Sequence, residues 1–481
     1  MWEGCRHHSS RSDATTQGGE TSYPALACLA YGLVSRLINR FGGMSTSAVS
    51  SPSTPTTPQR RILDLDALRS FALFGILIVN IGYFASGYAF HEVQDPAFPS
   101  LIDKGVHWFV AMFFETKFYL LFSFLFGYSF TLQLHSAERK GVDFKWRFLR
   151  RLGGLFVIGA LHAVLLFQGD ILTTYALLGL ILLAMHRVQA RTALITAAVL
   201  VGLVVIQFRW LSLSGMANFD ADAALAAGAQ TTAALAGNPL TVIAEHVQAL
   251  PHMAVALVAM QGPVALAAFL VGLAAGRHRA LADVSVHDRT LRLIQWIGFP
   301  VGLIGSLMLA DMGGTSDLYA LSMVILTGPC LAAAYAATLL RVFQSERGQR
   351  LAAALAPAGR MALSNYLGQS LICGIIFTGL GFGLVGQIAP RYVMLIAVAI
   401  YLVQLWASAR WMATHTYGPV EWVLRAVTNL ERPTWRIADT KAGTPASMTT
   451  TVPLARPAGP ADGAVNGAGA SAPDQEGYCR V

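Results

Sequence analysis

Apolar runs of roughly twenty residues recur along this chain, separated by short polar or basic segments. Apolar side chains fill whole runs instead of alternating with polar ones, as the strands of a membrane barrel would require. About twenty apolar residues in a helix span the ~30 Å hydrocarbon core of a bilayer. The pattern predicts an all-α fold, a polytopic transmembrane helical bundle of about ten spans. They fall at 67–89, 106–132, 152–168, 171–187, 191–208, 250–275, 293–310, 317–340, 361–385 and 390–412.

The connecting segments set an orientation. Arg60 and Arg61 precede the first span. Arg139, Lys140, Lys145, Arg147, Arg150 and Arg151 follow the second, Arg187 and Arg191 the fourth. Arg277, Arg279, Arg289 and Arg292 follow the sixth, and Arg341, Arg347, Arg350 and Arg360 the eighth. The alternate loops hold only Lys104, Arg209 and Arg391. Under the positive-inside rule both termini are cytoplasmic in a bacterial-type plasma (inner) membrane. The Ala-rich segment 212–245 is then the longest outside loop. Residues 1–60 are rich in Ser, Thr, Gly and Pro and are expected to be a disordered leader, with Met44 a candidate true start. The membrane domain covers 61–432, and 437–481 is expected to be a disordered tail.

Composition agrees with this reading. Of 481 residues, 54% are hydrophobic and 12% charged, and the mean hydropathy is +0.53. Soluble domains carry about 25% charged residues. The net charge of +8 is accounted for by the basic loops. No basic face with interleaved aromatics points to nucleic acid. The five cysteines are scattered without a Cys-x-x-Cys, so neither a zinc site nor a disulfide framework is expected. Phosphate-binding loops, HExxH helices, GxSxG elbows and dinucleotide fingerprints are absent from the sequence.

Within the spans, ionisable residues are few and costly. Asp66 and Arg69 lie one helical turn apart and can pair at the cytoplasmic edge. Asn80 lies about 16 Å further along the same helix. Glu115 and Lys117 fall inside the second span, about 200° apart on a continuous helix. Their bland role is a buried ion pair. Their functional role is a carboxylate that orients a histidine and a cation that holds an anionic substrate. The hairpin of spans three and four, IGALHAVLLFQGDILTTYALLGL, carries His162 and Tyr175 at the same depth, with Asp170 in the turn on the outer side. Asp170 can simply cap the fourth span, and His162 can simply bond a carbonyl. Together the three can form an oriented base beside water. Asn365 and Gln369 enter the ninth span with Arg360, Ser364, Tyr366 and Ser370. Glu421 and Arg425 form an i, i+4 pair on an expected amphipathic surface helix, with Arg425 pairing a phosphate as the sharper reading.

Taken in order, LDALRSFALFGILIVNI, KFYLLFSFLFGYSF, the hairpin, PAGRMALSNYLGQSLI and YGPVEWVLR resemble the YeiB-like family, domain of unknown function 418, over roughly residues 61–430. The half from 250 to 430 carries the family's C-terminal motifs. The first span is also distantly similar to membrane acyltransferases of the acyltransferase-3 type and to heparan-alpha-glucosaminide N-acetyltransferase. The second likeness implies a catalytic role for His91, eleven residues past Asn80. Together the resemblances imply that acyl-CoA, as co-substrate and not as a tightly bound cofactor, approaches from the cytoplasm near Arg69. The acyl group would pass to a glycan, lipid or small-molecule acceptor at the outer side, with a histidine base oriented by Asp170 or Glu115. A small-molecule or proton-coupled transporter lined by Glu115, Lys117, His162 and Asp170 is the alternative, and a non-catalytic scaffold a third reading.

Overall fold

The computed structural model describes residues 58–437, apart from 216–218, 282–283 and 285. The expected tail, all of the leader before residue 58 and the candidate start Met44 lie outside the described residues. Apart from an isolated bridge between His415 and Arg436, the described secondary structure is helical. Among the described residues, seven helical stretches are long and apolar enough to cross a membrane, which makes this a multi-pass membrane protein.

Helix α1 runs Pro58–Ala85 and is followed by a 3-10 turn, Gly87–His91. The expected second span is an apolar stretch of 39 residues, Leu101–Arg139, with an interruption. Helix α2 (Leu101–Phe113) stops, and α3 (Lys117–Lys140) restarts after Thr116, which has φ 68°. A β-branched residue with positive φ breaks helical geometry. Helices α4 (Phe144–Leu165) and α5 (Leu172–Ala184) form the hairpin, and α6 is Ala190–Ser214.

The Ala-rich segment read as a loop is mostly helical, containing α7 (Ala221–Ala236) and the start of α8 (Pro239–Ala256). Alanine is the strongest helix former, and both helices are capped. Asp220 accepts from the N–H groups of Asp222 and Ala223, and Asn238 from those of Leu240 and Thr241. A π-turn, Leu257–Gln261, joins α8 to α9 (Gly262–Arg277). There follow α10 (Asp288–Asp311), α11 (Leu318–Val342), α12 (Glu346–Arg360), α13 (Ala362–Phe377), α14 (Pro390–Met412) and α15 (Pro419–Asn429).

Three expected spans, now α1, α5 and α13, are not among the seven crossing stretches. With 13 and 16 residues, α5 and α13 are about 20 and 24 Å long at 1.5 Å per residue, short of the hydrocarbon core. The two short helices meet α4 in the interior, where His162, Asp170 and Ser370 are buried together.

Small residues set the helix spacing. In α9, Gly272 and Gly276 form a GxxxG stripe against α3. A Cβ at Gly272 would stand 2.2 Å from the Phe124 carbonyl oxygen, and one at Gly276 2.0 Å from Thr131 Oγ1. Glycines 298, 302 and 305 do the same for α10 against α11. Lipid tails are as apolar as the helix surfaces, so close backbone approach and dispersion hold such pairs together. Helix α1 packs against α3, α12, α13 and α14, and Ser70 on it hydrogen-bonds Tyr401 Oη of α14 at 2.9 Å.

Candidate functional site

The tightest polar constellation is built from three helices. His162 projects from the last turn of α4, Asp170 precedes α5, and Ser370 lies on α13. His162 Nδ1 lies 2.8 Å from Asp170 Oδ1, and His162 Nε2 lies 2.8 Å from Ser370 Oγ. All three residues are buried, none more than 3% exposed. Asp170 Oδ2 accepts from the Thr173 N–H at 2.8 Å and from Thr173 Oγ1 at 2.9 Å, so both carboxylate oxygens are engaged. The hairpin closes this tightly because residue 159 is glycine. A Cβ there would stand 2.6 Å from Thr173 N and 2.8 Å from Asp170 Oδ2.

Proton placement follows from the partners. An ionised carboxylate only accepts, so Nδ1 of the imidazole carries hydrogen toward Asp170. In the neutral ring Nε2 is then an acceptor, and at 2.8 Å it is a better partner for the Ser370 hydroxyl proton than the Tyr366 carbonyl at 3.4 Å. A hydroxyl aimed at an imidazole that a carboxylate holds in one tautomer is the arrangement that activates a serine for nucleophilic attack.

Around this line the interior holds more polar groups than it satisfies. Tyr366 lies one turn before Ser370, its ring centroid 5.1 Å from that of His162. Its hydroxyl is near the Ile171 backbone but makes no hydrogen bond of normal geometry. Gln168 Oε1 and Thr174 Oγ1, both in the hairpin, are likewise buried without a partner. Phe167 covers the histidine edge-on at 6.3 Å and stacks on Phe84 at 4.8 Å.

Several sequence expectations change here. Asp170 is not a hydrated outer residue, because its side chain is 1% exposed and spent on His162 and Thr173. Tyr175, expected beside His162, spends its hydroxyl on other partners. Its hydroxyl bonds Ser123 Oγ at 2.6 Å and the Tyr119 carbonyl at 3.1 Å on α3. Asn365 and Gln369 form a ladder between α13 and α14. Asn365 Nδ2 donates to Ser408 Oγ at 2.9 Å, Gln369 Nε2 to Gln404 Oε1 at 2.9 Å, and Gln404 Nε2 to the Asn365 carbonyl at 3.0 Å. These groups fasten helices and are not free for a substrate.

Glu115 and Lys117 do not lie on a continuous helix. Glu115 is half-buried in the α2–α3 break, and Lys117, fully buried, opens α3 and donates to the Ala111 carbonyl at 2.8 Å. The two are within electrostatic range of each other, and Thr116 Oγ1 between them is buried without a partner. Asn80 is half-buried on α1. His91 ends the 3-10 turn, and its hydrogen-bond contact is with Thr231 of α7. Thr231 Oγ1 donates to Glu245 at 2.9 Å, so His91 Nε2, 3.1 Å from that hydroxyl, is the donor to it. Burial first, then His252, pulls the imidazole of His91 below its ordinary value, with Glu245 opposing.

At the basic end of the bundle, Arg69 pairs with Asp66 as expected and also donates to Ser129 Oγ at 2.6 Å. Glu421 does not pair with Arg425. Its carboxylate caps α13, accepting from Leu363 N at 2.7 Å, Ser364 N at 3.0 Å and Ser364 Oγ. Arg425 instead lies over the Tyr417 ring at 4.3 Å and donates to its hydroxyl at 2.7 Å. Among the described residues no three His, Cys, Asp or Glu side chains gather as a metal site requires. Sequence reasoning missed Ser370, Thr173 and Gly159 as parts of the site. Ser370 stood in a segment already singled out, but nothing in the sequence ties it to a histidine 208 positions away.

Comparison with known proteins places this geometry in context. Residues 275–431 match the family model described as protein of unknown function (DUF418). The uncharacterized protein YxaH of Bacillus subtilis is 31% identical over 396 residues, covering 78% of this chain and 96% of YxaH. An uncharacterized 39.9 kDa protein from the amylase 3′ region of Bacillus acidopullulyticus is 30% identical over 393 residues, 78% of this chain and 95% of that protein. The uncharacterized protein YeiB of Escherichia coli is 28% identical over 384 residues, 76% of this chain and 96% of YeiB. No solved structure matches.

Proposed function

For this chain, which belongs to the DUF418 family together with YxaH and YeiB, we propose a membrane acyltransferase whose reacting centre is Ser370, His162 and Asp170. The observation that carries the reading is the His162 ring, held at 2.8 Å on one side by a carboxylate and at 2.8 Å on the other by a serine hydroxyl. The basic loops support a bacterial plasma membrane with both termini cytoplasmic, an orientation in which α1, α5 and α13 count as crossings beside the seven long stretches.

The chemistry runs in two halves. Ser370 Oγ attacks the carbonyl carbon of an acyl thioester while its proton passes to His162 Nε2. The negative charge developing on the carbonyl oxygen takes a hydrogen bond from Tyr366 Oη. Collapse expels the thiolate, which takes the proton back from His162, and leaves the acyl group on Ser370. An acceptor hydroxyl or amine then attacks the acyl-serine and loses its proton to His162, which passes it to the departing Ser370 Oγ and so restores the serine. Asp170 stays ionised throughout, fixing the tautomer and stabilising the imidazolium. Acyl-CoA from the cytoplasm is the donor, and a glycan, lipid or small molecule at the outer side is the acceptor. In the arrangement described here the serine is closed off, so Phe167 and Tyr366 must move for an acyl chain to reach it.

The test is transfer from labelled acetyl-CoA and longer acyl-CoAs by purified protein in nanodiscs with a panel of acceptors. Wild-type protein transfers label, whereas Ser370→Ala and His162→Ala do not. Full transfer by either variant would overturn the assignment. One observation favours a second reading, a proton-coupled transporter: a broken apolar helix with Glu115 and a fully buried Lys117 at the break is how membrane proteins build ion paths. Proton-linked uptake in vesicles without any acyl transfer would select it.

A further inference from the structure

The basic end of the bundle holds more cations than the protein neutralises. Arg151, in the second turn of α4, has Arg69, Arg147 and Arg425 within electrostatic range and one carboxylate, Glu421. That carboxylate is committed to the N-terminus of α13, both oxygens occupied. Asp66 is committed to Arg69, with Arg360 also in range of it. Arg147, Arg151 and Arg425 form no ion pair among the described residues. Arg151 Nε is buried without any hydrogen-bond partner.

A buried guanidinium N–H left unmade is costly, and like charges gathered at one place repel. Chains keep such clusters where an anion completes them. Phosphate suits them best, because a guanidinium fork meets two phosphate oxygens in parallel. The cluster is reachable, since Arg147 and Arg151 are half-buried and Arg425 exposed. Helix α15, which carries Arg425, packs on α4, and Arg150 Nε donates to the Thr428 carbonyl at 2.9 Å. The two sides of the cluster therefore have fixed relative positions.

We propose that Arg151, with Arg69, Arg147 and Arg425, forms a phosphate-ester site on the basic face, which takes the diphosphate of the acyl donor. The phosphate site stands on the arginines alone. Its assignment to the donor rests on the acyltransferase reading. Arg151 precedes His162 by eleven residues on one helix, about 16 Å at 1.5 Å per residue. A donor anchored at Arg151 thus needs a long arm to deliver its thioester to Ser370, and the pantetheine chain of coenzyme A is such an arm.

The experiment measures binding apart from transfer. Full-length protein in phosphatidylcholine nanodiscs is titrated with coenzyme A and with inorganic pyrophosphate. A second set of nanodiscs carries phosphatidylglycerol. Arg151→Gln, Arg151→Lys and Arg147→Gln are compared with Arg289→Gln, an exposed arginine outside the cluster. The expected result is saturable coenzyme A binding that weakens at least tenfold in Arg151→Gln and Arg147→Gln, less in Arg151→Lys, and not in Arg289→Gln. Pyrophosphate competes for it, and raised salt weakens it. Loss of a phosphatidylglycerol preference in the same variants, without coenzyme A binding, supports the phosphate site and overturns the donor assignment. Equal behaviour of wild type and all folded cluster variants in both arms overturns the site itself. Ser370→Ala separates the two claims: it keeps coenzyme A binding and loses transfer, so binding without transfer in wild type leaves the phosphate site standing while the acyltransferase reading fails.

Discussion

Replacing Asp170 separates what this carboxylate does for the fold from what it does for chemistry. It accepts three hydrogen bonds, from His162 Nδ1 at 2.8 Å, Thr173 N at 2.8 Å and Thr173 Oγ1 at 2.9 Å, and its side chain is 1% exposed. Asp170→Ala removes both acceptor oxygens and so all three hydrogen bonds at once. Each orphaned buried donor costs ~1–3 kcal/mol. Removing a buried charge returns part of that, so the net loss is about 3 kcal/mol or more. Asp170→Asn behaves differently. Its amide oxygen can keep the two Thr173 bonds while its NH2 faces His162, and the stability change is only about 1 kcal/mol. The NH2, however, forces Nδ1 to become the acceptor and moves the imidazole proton to Nε2. Ser370 then faces an N–H instead of a base. The corresponding amide substitution in a serine protease triad costs on the order of 10⁴ in turnover, and a loss of that order is expected here. Unfolding midpoints in one detergent, with acyl transfer measured on the same preparations, read both effects. A stable Asp170→Asn variant with wild-type transfer would refute the tautomer argument. An Asp170→Ala variant as stable as wild type would refute the packing argument.

Other consequences are simpler to state. Gly159→Ala places a methyl 2.6 Å from Thr173 N and 2.8 Å from Asp170 Oδ2, so it should lower stability by ~1–3 kcal/mol and impair transfer although the residue carries no functional group. Thermal midpoints and transfer rates check both. Glu421→Ala strips the cap from α13 and leaves the Leu363 and Ser364 N–H groups unpaired; the expected loss is ~1–3 kcal/mol, read as a lower unfolding midpoint, with Glu421→Gln milder. His91 has its imidazole held below the ordinary value by burial, so its neutral form suits the fold. Its contribution is therefore present above about pH 6.5 and lost as pH falls below that value. The midpoint of His91→Gln should fall less than wild type between pH 7 and 5, and a parallel fall would contradict that assignment.

How much of this was legible in the sequence differs from part to part. The long apolar runs announced a helical membrane protein because their length matches the bilayer and their charges are confined to loops. The break at Phe114–Thr116 was not legible, because Phe-Phe-Glu-Thr-Lys-Phe contains neither Gly nor Pro and the interruption rests on Thr116 adopting a left-handed conformation. The helices within the Ala-rich segment, expected as the longest outside loop, were announced by its Asp220 and Asn238 caps. His162 and Asp170 are eight residues apart across a turn, so their partnership was close to readable. Ser370 joins them only because α13 packs against the hairpin, and tertiary packing of that kind leaves no periodic trace. Tyr175 shows the complementary error: equal depth on two helices says nothing about which way each side chain faces.

Under the proposed function, Ser370 is a hydroxyl activated by His162 and Asp170. Mass spectrometry of the protein after brief incubation with an acyl-CoA and no acceptor tests it most directly. One acyl group is expected on the peptide carrying Ser370, absent from Ser370→Ala and from His162→Ala, and discharged when an acceptor is added. Acyl transfer that proceeds at wild-type rate in Ser370→Ala, with no acyl group ever found on Ser370, would contradict it.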